Sequence, residues 1–336
     1  MSKRVTIKSI ADDLGISHMT VSRALSEHPN VQKETRDAVR RRARELGYVP
    51  SAAARAMRGD KSAIVGLLVP NISNDFYARF ANAFAEACGE QGLQVIIHLT
   101  DDAFDAEADA MRRLREIQAR AAVVVPAPSP RPIPARADPP GLDLVHLIRQ
   151  RPGAGEGAAI LVEDAPAIAE AVQHLAALGH RRIAYIGAPK NLSSGRARLA
   201  AYQDGLAQAG LNVDERRVFT DKPSFAMGYR MMQRVLVQRE ATAVLCGGFE
   251  ISNGALKAAM EAQALEADLA FVGYGDPDFY SWVAGGLTTV AVPVDELAHC
   301  AAKVVSRQGE AARDAGAFGF EAKLVVRDQT ARGANA

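Results

Sequence analysis

From Ala63 onward the chain alternates short apolar runs with amphipathic stretches of helical period: AIVGLLV, then NDFYARFANAFAEAC, LQVIIHL, AEADAMRRLREIQA and AAVVV. Apolar runs of strand length without polar alternation need both faces of a sheet covered. Intervening helices supply that cover, so the alternation predicts parallel βαβ units. The pattern breaks at residues 126–140, where Pro126, Pro128, Pro130, Pro132, Pro134, Pro139 and Pro140 exclude helix and central strand and predict an irregular surface excursion. It resumes with DLVHLI and AAIL, a helix over 165–178 ending at Gly179, RIAYI, a helix over 196–209 ending at Gly210, and a helix over 224–238. AVLC, a helix over 250–263, AFVGY, LTTV, a helix over 295–306 and KLVV complete the series. One sheet would need at least about ten strands, so two doubly wound lobes are expected, with any ligand between them at the carboxyl ends of the strands.

Residues 1–60 follow another pattern and carry another charge. From Thr6 to Tyr48 apolar residues recur at helical spacing without β-type alternation, which predicts three short helices. The first presents Ile7, Ile10, Ala11 and Leu14 on one side. Gly15 makes a tight turn, and Ser17 caps a second helix whose Val21 and Leu25 face inward. The third, Lys33 to Leu46, puts Val39, Ala43 and Leu46 on one stripe and stops at Gly47. Residues 1–60 hold twelve Lys/Arg against seven Asp/Glu, a net of +5 in a chain of formal charge +1, so a basic leader precedes a body of net −4. That asymmetry suits a polyanionic partner and equally a solvated helix surface.

Two helices joined by a tight turn can lay the second in the DNA major groove when its inner face is apolar and its first outer residues are polar or shape-reading. Ser17-His18-Met19-Thr20-Val21-Ser22-Arg23 meets that demand. Val21 packs inward, His18, Met19 and Ser22 lie near the bases, and Arg23 offers a fork for the two acceptors of a guanine edge. Plainer readings stand beside these: for Arg23 an ion pair with Glu27 one turn on, for His18 a solvent-facing ring, for Met19 packing filler. Thr6, Thr35 and Tyr48 carry hydroxyls suited to phosphate oxygens, although capping and core packing would use them as well. Ser17, Thr20 and Asn30 complete the candidate DNA-contacting set of residues 1–49.

Other classes leave no signature. No G-x-G-x-x-G follows a strand, GDKS at 59–62 lacks the spacing of a phosphate-binding loop, and neither G-x-S-x-G nor H-E-x-x-H occurs. No catalytic residue, metal site or cofactor is therefore assigned, and an α/β enzyme ranks below a binding protein. Cys88, Cys246 and Cys300 are odd in number and far apart, which fits neither a disulfide framework nor a metal cluster and points to a reducing compartment. The start MSKRVTIKSIADDLG lacks the apolar core of an export signal. No stretch reaches the roughly 18 apolar residues of a membrane span, so a cytoplasmic location without membrane contact is expected. A sugar-binding protein without DNA function is the alternative, and in exported form it would need a signal where the basic leader stands.

The run VTIKSIADDLGISHMTVSRAL, with VQKETRDAVRRRARELGYVPSAAARAM behind it, resembles the lactose-repressor (LacI/GalR) family of bacterial regulators. The likeness continues through VGLLVPNISNDFY, LGHRRIAYIG, RLAAYQDGL, FVGYGD, GLTTVAVPVDELA and KLVVRDQTA, and so over nearly the whole chain. It implies an all-α helix-turn-helix headpiece over 1–49, a hinge helix and linker over 50–62, and an α/β two-lobed effector domain of the type I periplasmic-binding-protein-like kind with parallel sheets. The implied lobes are 63–163 with 292–318 and 164–291 with 319–330, the chain crossing near Glu163, Val292 and Phe318. A homodimer is implied too, its headpieces reading two half-sites of a near-palindromic double-stranded operator, as a repressor controlled by a sugar or sugar acid held between the lobes.

In the hinge, Pro50 to Arg58, a helix of about nine residues is marginal in water and is expected to form only when docked. Ser51 stands where the family usually has Asn, which leaves capping intact. Ala54 joins the implied DNA-contacting set. Met57 holds the position at which the family inserts an apolar side chain into a minor-groove step, its alternative being burial against the effector domain. No heptad-repeat stretch follows KLVV, so a dimer is expected in place of a tetramer.

In the effector domain Arg198, within RLAAY, matches the arginine with which the family grips its ligand; a structural ion pair is the alternative. Asn74, Phe76, Arg149, Ser224, Asp276 and Trp282 complete the implied ligand set. The spacing of Phe76, Phe80 and Phe84 also suits helix packing or a dimer face, and Trp282 either stacks on a sugar ring or fills core. Gly248-Phe249 stand where the family often has Asn-Asp, and Gly275 where it has Asp, which weakens the usual acidic grip on hydroxyls. Glu250 and Asp276 are candidate replacements, while Arg149 with Arg198 would suit a carboxylate or phosphate.

Overall fold

The computed structural model describes residues 5–48, 62–129, 142–151, 158–265, 269–307 and 316–332. The expected hinge helix, with Ala54 and Met57, lies outside the described residues. The chain divides into two compact units, Met1–Ser62 and Ala63–Ala336.

The first unit is built of helices α1 (Ile7–Leu14), α2 (His18–Leu25) and α3 (Lys33–Glu45). Thr6 and Ser9 form a reciprocal capping box that starts α1, and Gly15, at φ 64°, takes the left-handed turn that stops it. Ile10, Val21, Ala24 and Val39 are fully buried where the three helices meet. Polar ties finish the packing: Arg42 bonds Asp13 at 2.6 Å, joining α3 to α1. Arg36 donates to the carbonyls of His28 and Val31, both at 3.1 Å, bracing the turn before α3.

The second unit runs β1 (Ile64–Val69), α4 (Asp75–Glu90), β2 (Gln94–Leu99), α5 (Phe104–Glu116), β3 (Ala121–Val124), β4 (Asp143–Leu147), β5 (Ala158–Glu163), α6 (Ala165–Ala177), β6 (Ile183–Gly187) and α7 (Ser193–Gln208). It continues β7 (Val218–Thr220), α8 (Phe225–Gln238), β8 (Ala243–Cys246), α9 (Phe249–Glu261), β9 (Ala270–Tyr274), β10 (Thr288–Ala291), α10 (Val294–Ser306), β11 (Ala317–Glu321) and β12 (Lys323–Val325). Two sheets result, ordered β11-β5-β4-β3-β1-β2 and β12-β10-β9-β8-β6-β7. Every pairing is parallel except β10 with β12. Strands β3, β6, β8 and β9 are buried along their whole length, as strands covered on both faces must be.

The chain passes between the lobes between β5 and α6, between β10 and α10, and between β11 and β12. The third crossing lies at Ala322 and not near Phe318, because β11 stays in register with β5 as far as Glu321 opposite Glu163. Residues 319–321 therefore belong to the first sheet. β11 and the short β7 escaped the sequence reading, since AFGFE and VFT are too short and mixed to announce a strand. Helix α7 starts at Ser193, ahead of the expected 196. The expected surface excursion begins inside the core: Pro126 and Ala127 are buried, and the Ala127 amide donates to the buried carboxylate of Glu107 at 2.7 Å.

Candidate nucleic-acid interface and ligand cleft

Helix α2 divides by face. Val21 and Ala24 are fully buried, whereas Ser17, His18, Met19 and Arg23 are exposed and Thr20 and Ser22 are half-buried. Ser17 is the N-cap: its hydroxyl accepts from the Thr20 amide at 3.0 Å and bonds the Thr20 hydroxyl at 2.8 Å. The Arg23–Glu27 ion pair does not form, because the Glu27 carboxylate faces Arg40. Among the described residues the Arg23 guanidinium has no hydrogen bond or ion pair, which leaves its whole fork free. Asn30 is exposed, its amide donating to His28 Nδ1 at 3.2 Å. Thr6 is engaged in the α1 cap, Thr35 is half-buried, and Tyr48 packs against the small core.

In the second unit a cleft of about 730 Å³, part of it open to solvent, lies where the carboxyl ends of the parallel strands of both sheets meet. The first lobe contributes the loop after β1 (Pro70 to Tyr77), Asp101 and Asp102 after β2, and Ile148 and Arg149 after β4. The second contributes Ser194 and Arg198 on α7, Lys222 and Pro223 after β7, Gly247 to Ile251 after β8, and Tyr274 at the end of β9.

Cations in this cleft are paired. Arg149 Nη1 meets Asp102 Oδ1 at 2.5 Å with both side chains buried, while Arg149 Nε is buried without a hydrogen-bond partner among the described residues. Arg198 Nε meets Asp164 at 2.6 Å, its Nη1 donates to the Gly247 carbonyl at 3.1 Å, and its guanidinium lies 4.1 Å from the centroid of the Tyr274 ring. The Tyr274 hydroxyl donates to the same Asp164 oxygen. Burial works against the charge on Arg198, yet Asp164 and Tyr274 outweigh it and hold its pKa above the ordinary value. Burial also pushes the Tyr77 hydroxyl up to about 12. At the mouth Lys222 donates to the Asp101 carbonyl at 3.0 Å and its carboxylate at 3.2 Å.

Glu250 differs from the other cleft carboxylates: among the described residues no cation pairs with it. Asn71 donates to it at 3.3 Å. Burial raises its pKa above the usual carboxylate value, and Asn71 and Asn74 pull the other way. Beside it Phe249 joins an aromatic row, with ring centroids 5.3 Å from Phe76 and 5.6 Å from Tyr274. Gly275 makes room for this row: at φ +86° it takes a backbone conformation that suits glycine, and a Cβ there would fall 2.3 Å from Phe249 Cε1.

Of the expected ligand residues, Asn74, Phe76, Arg149 and Arg198 line the cleft and three do not. Ser224 caps α8, its hydroxyl accepting from the Met227 amide at 3.1 Å, while its neighbours Lys222 and Pro223 face the cleft. Asp276 is held by both terminal nitrogens of Arg327, at 2.9 and 3.0 Å, away from the lining. Trp282 is 75% exposed, so it neither lines the cleft nor fills core. Phe76 serves two ends, stacking on Phe80 at 6.1 Å within the core and bordering the cleft. Asp102, Asp164, Lys222, Phe249 and Tyr274 went unforeseen. The rule that ligands bind past the carboxyl ends of strands would have pointed to Asp102 and Tyr274.

Comparison with known proteins agrees with both halves of this picture. Residues 6–51 match the family of bacterial regulatory proteins, lacI family, and residues 172–330 match the periplasmic binding protein-like domain. The chain is 31% identical over 287 residues to the HTH-type transcriptional regulator AglR of Rhizobium meliloti (strain 1021), covering 81% of this chain and 78% of the relative. It is 27% identical over 308 residues to the ribose operon repressor of Escherichia coli (strain K12), covering 89% and 92%. The crystal structure of the lac repressor dimer bound to operator and the anti-inducer ONPF is similar in fold, with a TM-score of 0.81 at 22% identity over 98% of this chain and 99% of that one.

Fold and site together define a helix-turn-helix transcription regulator that carries a periplasmic-binding-protein-like domain. Among the described residues no helix is long and apolar enough to cross a membrane, and no cluster of His, Cys, Asp or Glu could hold a metal ion. The chain belongs to the LacI family of bacterial regulatory proteins.

Proposed function

We propose that this protein is a cytoplasmic homodimeric repressor that reads a near-palindromic operator with the outer face of α2 and responds to a neutral sugar bound between its lobes. The observation that carries the first half is the exposed guanidinium of Arg23, unpaired among the described residues, on the same face as Met19 and one residue round the helix from the exposed His18. Such a fork is free to meet the O6 and N7 acceptors of guanine. Thr6, Ser17, Thr20, Ser22, Asn30, Thr35 and Tyr48 are proposed as supporting contacts, and the resemblance extends the proposal to minor-groove contacts by Ala54 and Met57.

Charge favours a neutral ligand. Arg149, Arg198 and Lys222 each already face a carboxylate, and Glu250 adds a negative group with no cation beside it among the described residues. An anionic sugar acid would meet Glu250 with nothing left to offset it, whereas hydroxyls can accept from Arg149 Nε and donate to Glu250. The row Phe76, Phe249 and Tyr274 offers an apolar wall to a sugar ring. The repressor named for the ribose operon supports this ligand class by likeness. Binding is favoured over catalysis because the cations of the lining, Arg149, Arg198 and Lys222, each already face a carboxylate.

A mobility-shift titration of the full chain on genomic fragments at fixed salt, with and without a panel of neutral sugars and sugar acids, tests both halves. Selective retention of a fragment with near-palindromic sequence, altered by a neutral sugar, is expected. Equal retention of all fragments contradicts the operator reading, and a response to sugar acids alone contradicts the ligand class.

A further inference from the structure

Resting on the operator reading above, the structure carries it one step further: we propose that Met19 reads the 5-methyl group of one thymine in each operator half-site. In residues 5–48 Met19 is the only large apolar side chain left exposed, at 55%, while every other aliphatic side chain longer than alanine is at least half-buried. It is the second residue of α2, on the turn that Ser17 caps, where a groove-bound helix meets base edges. At i and i+4 it shares a face with Arg23, which is unpaired among the described residues, opposite the buried Val21 and Ala24.

The side chain limits what can be read. A thioether donates no hydrogen bond and accepts only weakly, so Met19 has no means of reading the donor and acceptor pattern of the major groove. The one apolar feature of that groove is the thymine methyl. An unbranched, flexible side chain adapts to it without fixed geometry. A thymine contact would take out of water an apolar group that the fold leaves exposed.

The test uses the full chain. Duplexes are selected from a random-sequence library at fixed salt, and each symmetric pair of thymines in the enriched site is replaced by deoxyuridine, which removes the methyl and keeps every hydrogen-bonding group. Binding should weaken at one such pair, about four-fold for one half-site and roughly fifteen-fold for both, the change expected from one buried methyl-sized group. Met19→Ala should bind thymine and deoxyuridine duplexes alike, and Met19→Leu should keep the discrimination. Met19→Gln, whose amide pairs with adenine, should change the base enriched at that position. Deoxyuridine without effect at every position, or with equal effect on Met19→Ala, overturns the role of Met19 and leaves the operator reading standing. Failure to enrich any sequence overturns the operator reading itself.

Discussion

Arg23 and Arg198 are both arginines proposed to meet a ligand, and their surroundings are opposite. Arg23 stands exposed on a helix whose other side makes the core, and no described group pairs with it. Arg198 is buried, bonded to Asp164 and to the Gly247 carbonyl, and covered by Tyr274. A long polyanion brings its own charge to a surface group, so Arg23 needs no partner in the free protein. A small molecule entering a cleft meets groups that must already be satisfied, because an unpaired buried charge costs more than folding can spare. For these two arginines the proposed ligand contact is therefore separate from any structural role at Arg23 and merged with one at Arg198.

That difference is open to attack through stability. Asp164→Ala should have the largest effect, a loss of about 3–5 kcal/mol in urea denaturation, since it strands the buried Arg198 charge. A loss under about 1 kcal/mol would show that the cleft does not depend on the pair. Glu250→Gln should next change the pH profile. Burial raises the folded carboxyl above its unfolded value, so the native state binds the extra proton and stability contributed by this group falls as pH climbs from the usual carboxylate value through the raised one. Melting temperatures across that window should lose this slope in the variant; an unchanged slope would assign it to another group. Lys222→Ala should cost no more than about 1 kcal/mol, and less in high salt, because Lys222 and Asp101 are 59% and 89% exposed. Smallest of all, Arg23→Ala should leave stability within about 0.5 kcal/mol of wild type, as for a surface side chain without partners. A larger loss would mean that Arg23 has a structural role.

The same contrast explains what could be read from residues alone. On α2, burial follows from helical period, so the inward Val21 and outward His18, Met19 and Arg23 are visible in a short stretch of sequence. The parallel sheets were equally visible, since runs such as AIVGLLV and AFVGY have no other way to be covered. The cleft was only half legible. Asp102, Asp164, Arg198, Lys222 and Tyr274 come from five separate loops or elements, and only the strand register brings them together. Of the residues implied by resemblance, Asn74, Phe76, Arg149 and Arg198 line the cleft, whereas Ser224, Asp276 and Trp282 do not. Arg327 draws Asp276 aside, and the short helical turn Asp278–Ser281 leaves Trp282 at the surface. Replacement of an acid by Phe249 became intelligible only with Gly275, whose missing side chain admits the ring.

Because the account turns on α2 reading base edges, the most direct measurement is the ratio of specific to nonspecific DNA affinity at one fixed salt concentration, for the full-length wild type and for Arg23→Ala. The expected result is a ratio lowered by about 1–3 kcal/mol, roughly 5-fold to 150-fold, with nonspecific affinity nearly unchanged. A ratio equal to wild type, or an equal fall in both affinities, would contradict the assignment of Arg23 to base reading and with it the role given to α2.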